Sequence, residues 1–168
     1  MRRLTLLFAI GLVAGACSSD STLPAPTPGP AQTVCLPEFC IDYPSDWEIE
    51  VGEDFVVLNH PLGAEASVGR IDMQGVVQGA GGTWPADAEE TMRRFWELLD
   101  DLGNADLDEL TVDGNAVDTE GRLDDRRLWH RLLATSPPRA IGAEMRGPDR
   151  TWEAHAAIIT NSLRAPNS

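Results

Sequence analysis

The sequence predicts an α+β domain, a mainly antiparallel sheet with two principal helices packed on it, and three observations carry that expectation. Segments of apolar and polar alternation recur between turn residues from Phe39 onward. One stretch, residues 87–102, switches to a helical period, and a second helical stretch closes the chain after Asp149. About 130 residues of the 168 carry these patterns, the usual size of a single domain.

The elements follow in order. Phe39-Cys40-Ile41-Asp42-Tyr43 alternates, breaks at the corner Pro44-Ser45-Asp46, and resumes as Trp47-Glu48-Ile49-Glu50-Val51. Phe55-Val56-Val57-Leu58 has the continuous apolar character of a buried strand, and Ala66 to Met73 forms another after a loop over Pro61 to Glu65. Gly79-Ala80-Gly81-Gly82 ends that pattern. In the helix that follows, Ala88, Met92, Phe95, Trp96, Leu99 and Leu102 share one face; Asp87 with Glu90 forms a capping pair at the start, and Gly103 sits where the helix should stop.

Leu107 to Val112 and Ala116 to Leu123 read as a hairpin around Asp113-Gly114-Asn115, where glycine supplies the positive φ of a tight turn. Taking Asp124-Asp125 as the next turn fixes a register with the strand Arg126 to Thr135. Asp118 then faces Arg131, Glu120 faces Trp129 and Arg122 faces Arg127, while Val117, Thr119, Gly121, Leu128, His130 and Leu132 line the opposite side. Ala140 to Met145 is the last strand, and the closing helix carries Trp152, Ala156, Ile159 and Leu163 on its apolar stripe below an Asp149 cap.

The amino terminus addresses the chain to a membrane. Met1-Arg2-Arg3 is a basic n-region, Leu4 to Val13 an apolar run too short to span a bilayer, and Ala14-Gly15-Ala16 the small residues a signal peptidase requires. Residues 1–16 are therefore expected to be a signal peptide, Cys17 to be lipidated, and residues 17–33, with prolines at 24, 26, 28 and 30, to be a tether reaching up to ~50 Å. Residues 34–165 are the expected domain and 166–168 a tail. Assigning Cys17 to lipid leaves Cys35 and Cys40 as an even pair, expected as a disulfide, with a redox pair as the lesser alternative.

Without its n-region the chain has 11 Arg and no Lys against 27 acids, a field that repels nucleic acid and anionic headgroups. The lipid, not the domain surface, must supply membrane affinity. Asp100 to Asp125 holds ten acids against Arg122 alone. Its spacing departs from that of a calcium-binding loop, so a solvated face is expected there and weak cation binding is the alternative.

The order of three short motifs, FCIDYPSDWEI, Val112-Asp113-Gly114-Asn115-Ala116 and Ile158-Ile159-Thr160-Asn161-Ser162-Leu163, resembles the PsbP-like and Mog-type fold across roughly residues 39 to 164. Cys17 with the residues before it, VAGAC, resembles the bacterial lipobox. These resemblances imply a lipid-anchored protein of the bacterial envelope, outside the cytoplasm, and a fold whose members are mostly non-catalytic accessory or interaction domains; the matched positions are structural, so no functional residue carries over.

His60, His130 and His155 have no ligand partner at helix or turn spacing; no zinc motif, serine nucleophile motif or phosphate loop occurs, so no metal, cofactor or catalytic residue is expected. His130 is expected as a buried, hydrogen-bonded neutral side chain. Arg127, Trp129 and Arg131, adjacent on one strand face, are the candidate docking patch for an envelope protein, on the condition that the face is exposed. A small-ligand or divalent-cation binder is the alternative function, and an uncharacterised hydrolase a more distant one.

Overall fold

The computed structural model describes residues 24–166. Two antiparallel strands, β1 (Ala31–Cys35) and β2 (Cys40–Pro44), pair as a small sheet. A second, seven-stranded sheet contains β3 (Glu48–Val51), β4 (Phe55–Asn59), β5 (Glu65–Asp72), β6 (Ala105–Asp113), β7 (Ala116–Leu123), β8 (Arg126–Ser136) and β9 (Arg139–Gly147) in the order β3-β4-β5-β9-β8-β7-β6, every neighbour antiparallel. Three helices complete it: α1 (Met73–Gly79), α2 (Ala88–Leu102) and α3 (Glu153–Asn161), the last preceded by a 3₁₀ turn over Arg150–Trp152. The α+β class is as the sequence predicts, with three helices where two were expected.

The central strands are buried on both sides. On one face α2 lays Met92, Trp96 and Leu99 over Val117, Leu128, Leu132 and Ala140. On the other, α3 and β2 close a larger core in which Trp152, Ala156, Ile159 and Leu163 meet Phe39, Ile41, Trp47, Val56, Leu58, Val68, Ile141, Ala143 and Met145. The stripe expected on α3 is buried in full. On α2, Asp87 accepts a hydrogen bond from Glu90 N and Gly103 N bonds Leu99 O, as expected, but Leu102 projects from the core at 75% exposure. The helical stripe has drifted past the sheet by the last turn.

The β7–β8 register is the expected one, with Asp118 opposite Arg131, Glu120 opposite Trp129 and Arg122 opposite Arg127. Gly114 takes φ 61° in the β6–β7 turn. Gly121 is required for a different reason: a Cβ there would lie 2.3 Å from the Trp96 ring and 2.2 Å from Asp106 O, so glycine lets α2 seat its tryptophan directly on the sheet. β6 carries a bulge between Leu107 and Glu109.

The proline-rich segment is shorter as a tether than the sequence implied. Thr33 lies within β1, and from Pro24 the chain is laid along the domain: Ala25 N donates to Thr151 Oγ1 at 2.8 Å, Gly29 N to Asp46 Oδ1 at 3.0 Å, and Ser45 N to Pro30 O at 2.9 Å. Residues 1–16, Cys17 and the end of the expected tail lie outside the described residues.

Cys35 and Cys40 are joined by a disulfide across the β1–β2 hairpin, directly opposite each other in the register, with Cα atoms 4.1 Å apart. Its loop is short, so it removes little chain entropy from the unfolded state. Reduction should lower unfolding stability by ~2 kcal/mol at most, measured as the shift in urea midpoint with and without reductant.

Candidate functional site

The strand face that carries Arg127, Trp129 and Arg131 is not a free patch. Trp129 is 6% exposed and belongs to the core beneath α3, with its six-membered ring and Trp152 both packed over Gly147. Arg127 is equally buried, clamped by Asp108 at 2.6 Å and by Glu120. Arg131 holds both carboxylate oxygens of Asp118, at 2.9 and 3.1 Å. The expected docking patch is thus an internal ion-pair layer, because α3 descends onto this face and the β6 bulge turns Asp108 in to meet Arg127. The condition of exposure is not met.

The electrostatics of the layer follow from its depth. Burial raises the carboxyl of Asp118 above its usual range, outweighing the pull of Arg131. Asp108 is lowered instead, chiefly by its hydrogen bond from Arg127. Arg127 loses hydration on burial, but the hydrogen bonds it donates to Asp108 and Glu120 more than compensate and raise it. The acidic segment 100–125 is therefore not simply a solvated face: Asp108, Asp118 and Glu120 are structural counter-ions.

Between this layer and α3 lies a shallow cleft of about 190 Å³, walled by Glu109, Asp118, Glu120 and Glu153, with Trp129 and Ala157 among its other borders. Glu109 and Glu153 make no ion pair among the described residues, so the cleft is anionic at its rim.

On the opposite face His130 is buried, as expected, and its Nε2 lies 2.8 Å from Glu144 Oε2, its cross-strand neighbour on β9. Phe95 and Trp96 present edges to its ring at centroid distances of 4.9 and 5.6 Å. Glu144 is also held by Arg146 Nε at 2.6 Å. Burial pushes the Glu144 carboxyl up, yet His130 and Arg146 together bring it down to about 2. Among the described residues neither a serine nor a cysteine bonds to this pair, which ties β8 to β9.

His60 and His155, separated by 95 residues in the sequence, meet in space with Trp47 and Trp152 in an aromatic cluster. Trp47 Nε1 donates to His155 Nδ1 at 2.9 Å, so Nδ1 is bare and the proton sits on Nε2, which faces Pro26 O at 2.8 Å. His60 Nε2 lies 3.3 Å from Asp46 Oδ2. The cluster holds the amino-terminal segment onto the domain. Sequence reading missed it because its members have no common spacing; the one available signal was that Trp47 and His60 flank turns and Trp152 follows the Asp149 cap.

Among the described residues no group of three or more histidine, cysteine or acidic side chains is arranged to hold a metal ion. No protein-family model matches the chain, and no curated protein matches it.

Two outcomes are expected from these geometries. Trp129→Ala should destabilise the fold by about 3–5 kcal/mol, the cost of emptying a buried aromatic site, read from chemical denaturation. Because Glu144 titrates lower folded than unfolded, its contribution is complete above the unfolded carboxylate range and is lost as pH falls from about 4.5 toward about 2. Urea midpoints across that window should fall steeply for the native chain and less steeply for Glu144→Gln, which should start from a lower stability at neutral pH.

Proposed function

We propose that this chain is a lipid-anchored lipoprotein of the bacterial cell envelope, held outside the cytoplasm through Cys17, whose PsbP-like domain serves another envelope component as a non-catalytic binding or accessory module. The observation that carries the reading is the division of the cysteines: Cys35 and Cys40 close on each other, which leaves Cys17, at the end of the signal-like leader, as the one cysteine for lipid. A disulfide of this kind also suits an oxidising compartment. The PsbP-like assignment draws on the order of strand, corner, central hairpin and final helix, with an antiparallel sheet between helices on opposite faces.

The non-catalytic reading draws on the use of the polar side chains. Arg127, Arg131, His130 and His155 are committed to bonds within the fold. Small-ligand binding is the second reading, favoured by the cleft beside α3, whose Glu109 and Glu153, without an ion pair among the described residues, select for a cationic group over an anionic one.

Cys17→Ser should abolish lipidation and release the domain, since a surface this acidic has no other hold on a bilayer. Fractionation of expressing cells should move the protein from the membrane to the soluble fraction or leave it unprocessed. Mature protein retained in membranes after the substitution would refute the anchor.

A further inference from the structure

The indole N–H of Trp129 is a donor that the fold does not use. Trp129 is 6% exposed and its Nε1 is buried without a hydrogen-bond partner among the described residues, whereas the indoles of Trp47 and Trp96 donate to His155 Nδ1 and Thr119 Oγ1. A buried donor left bare loses its hydration with nothing in return. Its direction is set by the packing of the ring. Cζ3 lies against Gly147 of β9, 3.1 Å from where a Cβ would stand, and Nε1 is bonded to the ring carbon diametrically opposite Cζ3. The N–H edge is therefore turned away from β9 and toward β7, where Asp118 and Glu120 wall the cleft that Trp129 borders.

The charge of the same cleft is one-sided. Of its four carboxylates, Asp118 is paired with Arg131, and Glu120 with Arg127 and Arg150. Glu109 on β6 and Glu153 at the start of α3 have no ion pair among the described residues, so the charge left over is negative and sits at the rim, on the sheet and on the helix. Burial already raises the Asp118 carboxyl, and a cation nearby would relieve that cost where an anion would add to it. The cleft of about 190 Å³ has room for roughly six to ten non-hydrogen atoms, since a dry cavity of ~150 Å³ admits benzene.

We propose that this cleft binds an organic ammonium ligand that also carries a neutral hydrogen-bond acceptor, the ammonium at the Glu109 and Glu153 rim and the acceptor, an amide carbonyl or a hydroxyl, on the N–H of Trp129. The two requirements exclude the simpler ligands. A carboxylate would answer the indole but meet the acids, and a bare metal ion would leave the indole unanswered in a cleft where no group of side chains is arranged to hold one among the described residues. The proposal rests on the small-ligand reading of this cleft and gives it a ligand class.

The test titrates three probes into the isotope-labelled full chain in nonionic detergent and follows the indole N–H resonances by NMR, that of Trp129 assigned through its own backbone. N-acetylputrescine carries both groups, N-butylacetamide lacks the charge, and pentylamine lacks the acceptor. N-acetylputrescine should shift the Trp129 indole proton saturably. Glu109→Gln and Glu153→Gln, at exposed positions the fold tolerates, should each raise its dissociation constant at least about threefold. N-butylacetamide should bind at least about tenfold more weakly, and pentylamine should leave the indole proton unmoved. Equal affinity for the charged and uncharged amides, or glutamine variants that bind as the native chain does, would overturn the ammonium assignment and leave a small-ligand cleft standing. Pentylamine bound as tightly as N-acetylputrescine would overturn the part given to Trp129. No saturable shift at any cleft residue with any of the three would overturn the small-ligand reading itself, and the ligand class with it.

Discussion

Everything in this domain depends on covering both faces of one seven-stranded sheet. β8 and β9 lie at its centre, and their side chains alternate between two separate cores: Leu128 and Leu132 toward α2, Trp129 toward α3, with Ala140 and Ile141 dividing in the same way. A sheet buried on both sides has no solvent face on which to place charge cheaply, so charges on its inner strands must be paired. That is why Arg127, Arg131, His130 and Glu144 all find partners across strands. Their pairing follows from register rather than from function.

The same constraint explains what was legible in the sequence. Period-two alternation and the turn residues gave β7 and β8 to the correct register, because a one-residue slip would exchange Val117 and Leu132 for Asp118 and Arg131 in the α2 core. The caps of α2 were readable because Asp87 and Gly103 act locally. What could not be read was which charged face would be covered. Trp129 between two arginines fits an exposed anchor and a buried ion-pair layer equally well in one dimension, and only the descent of α3 and the bulge at Asp108 separate them. α1 was missed because Met73-Gln74-Gly75-Val76-Val77-Gln78-Gly79 continues a strand's apolar run and has no capping side chain to mark its start.

The aromatic cluster shows a further limit. Trp47, His60, Trp152 and His155 come from the β2–β3 corner, the end of β4 and the α3 entrance, and they are assembled by topology alone. Its chemistry is that of a clasp: the indole N–H of Trp47 selects one tautomer of His155, and that tautomer directs its remaining proton at a backbone carbonyl that would otherwise end a loose segment. A proline-rich stretch lacks amide donors, so it is poorly suited to strand pairing and must be held through its carbonyls and the few N–H groups between prolines. Ala25, Gly29 and the carbonyls of Pro26 and Pro30 are the groups used.

Composition read as flexibility therefore overstated the freedom of the linker. Four prolines restrict the unfolded chain as well as the folded one, which lowers the entropy lost when the segment docks and lets a handful of hydrogen bonds and the packing of Ala25 on the core hold it. For a protein attached at one terminus, this exchange has a geometric consequence beyond stability. A long free linker decouples a domain from its support, whereas a docked one transmits the position of the attachment point into the orientation of the sheet. The proline spacing that first reads as a spacer is then the element that fixes the end of the fold from which the amino-terminal segment leaves.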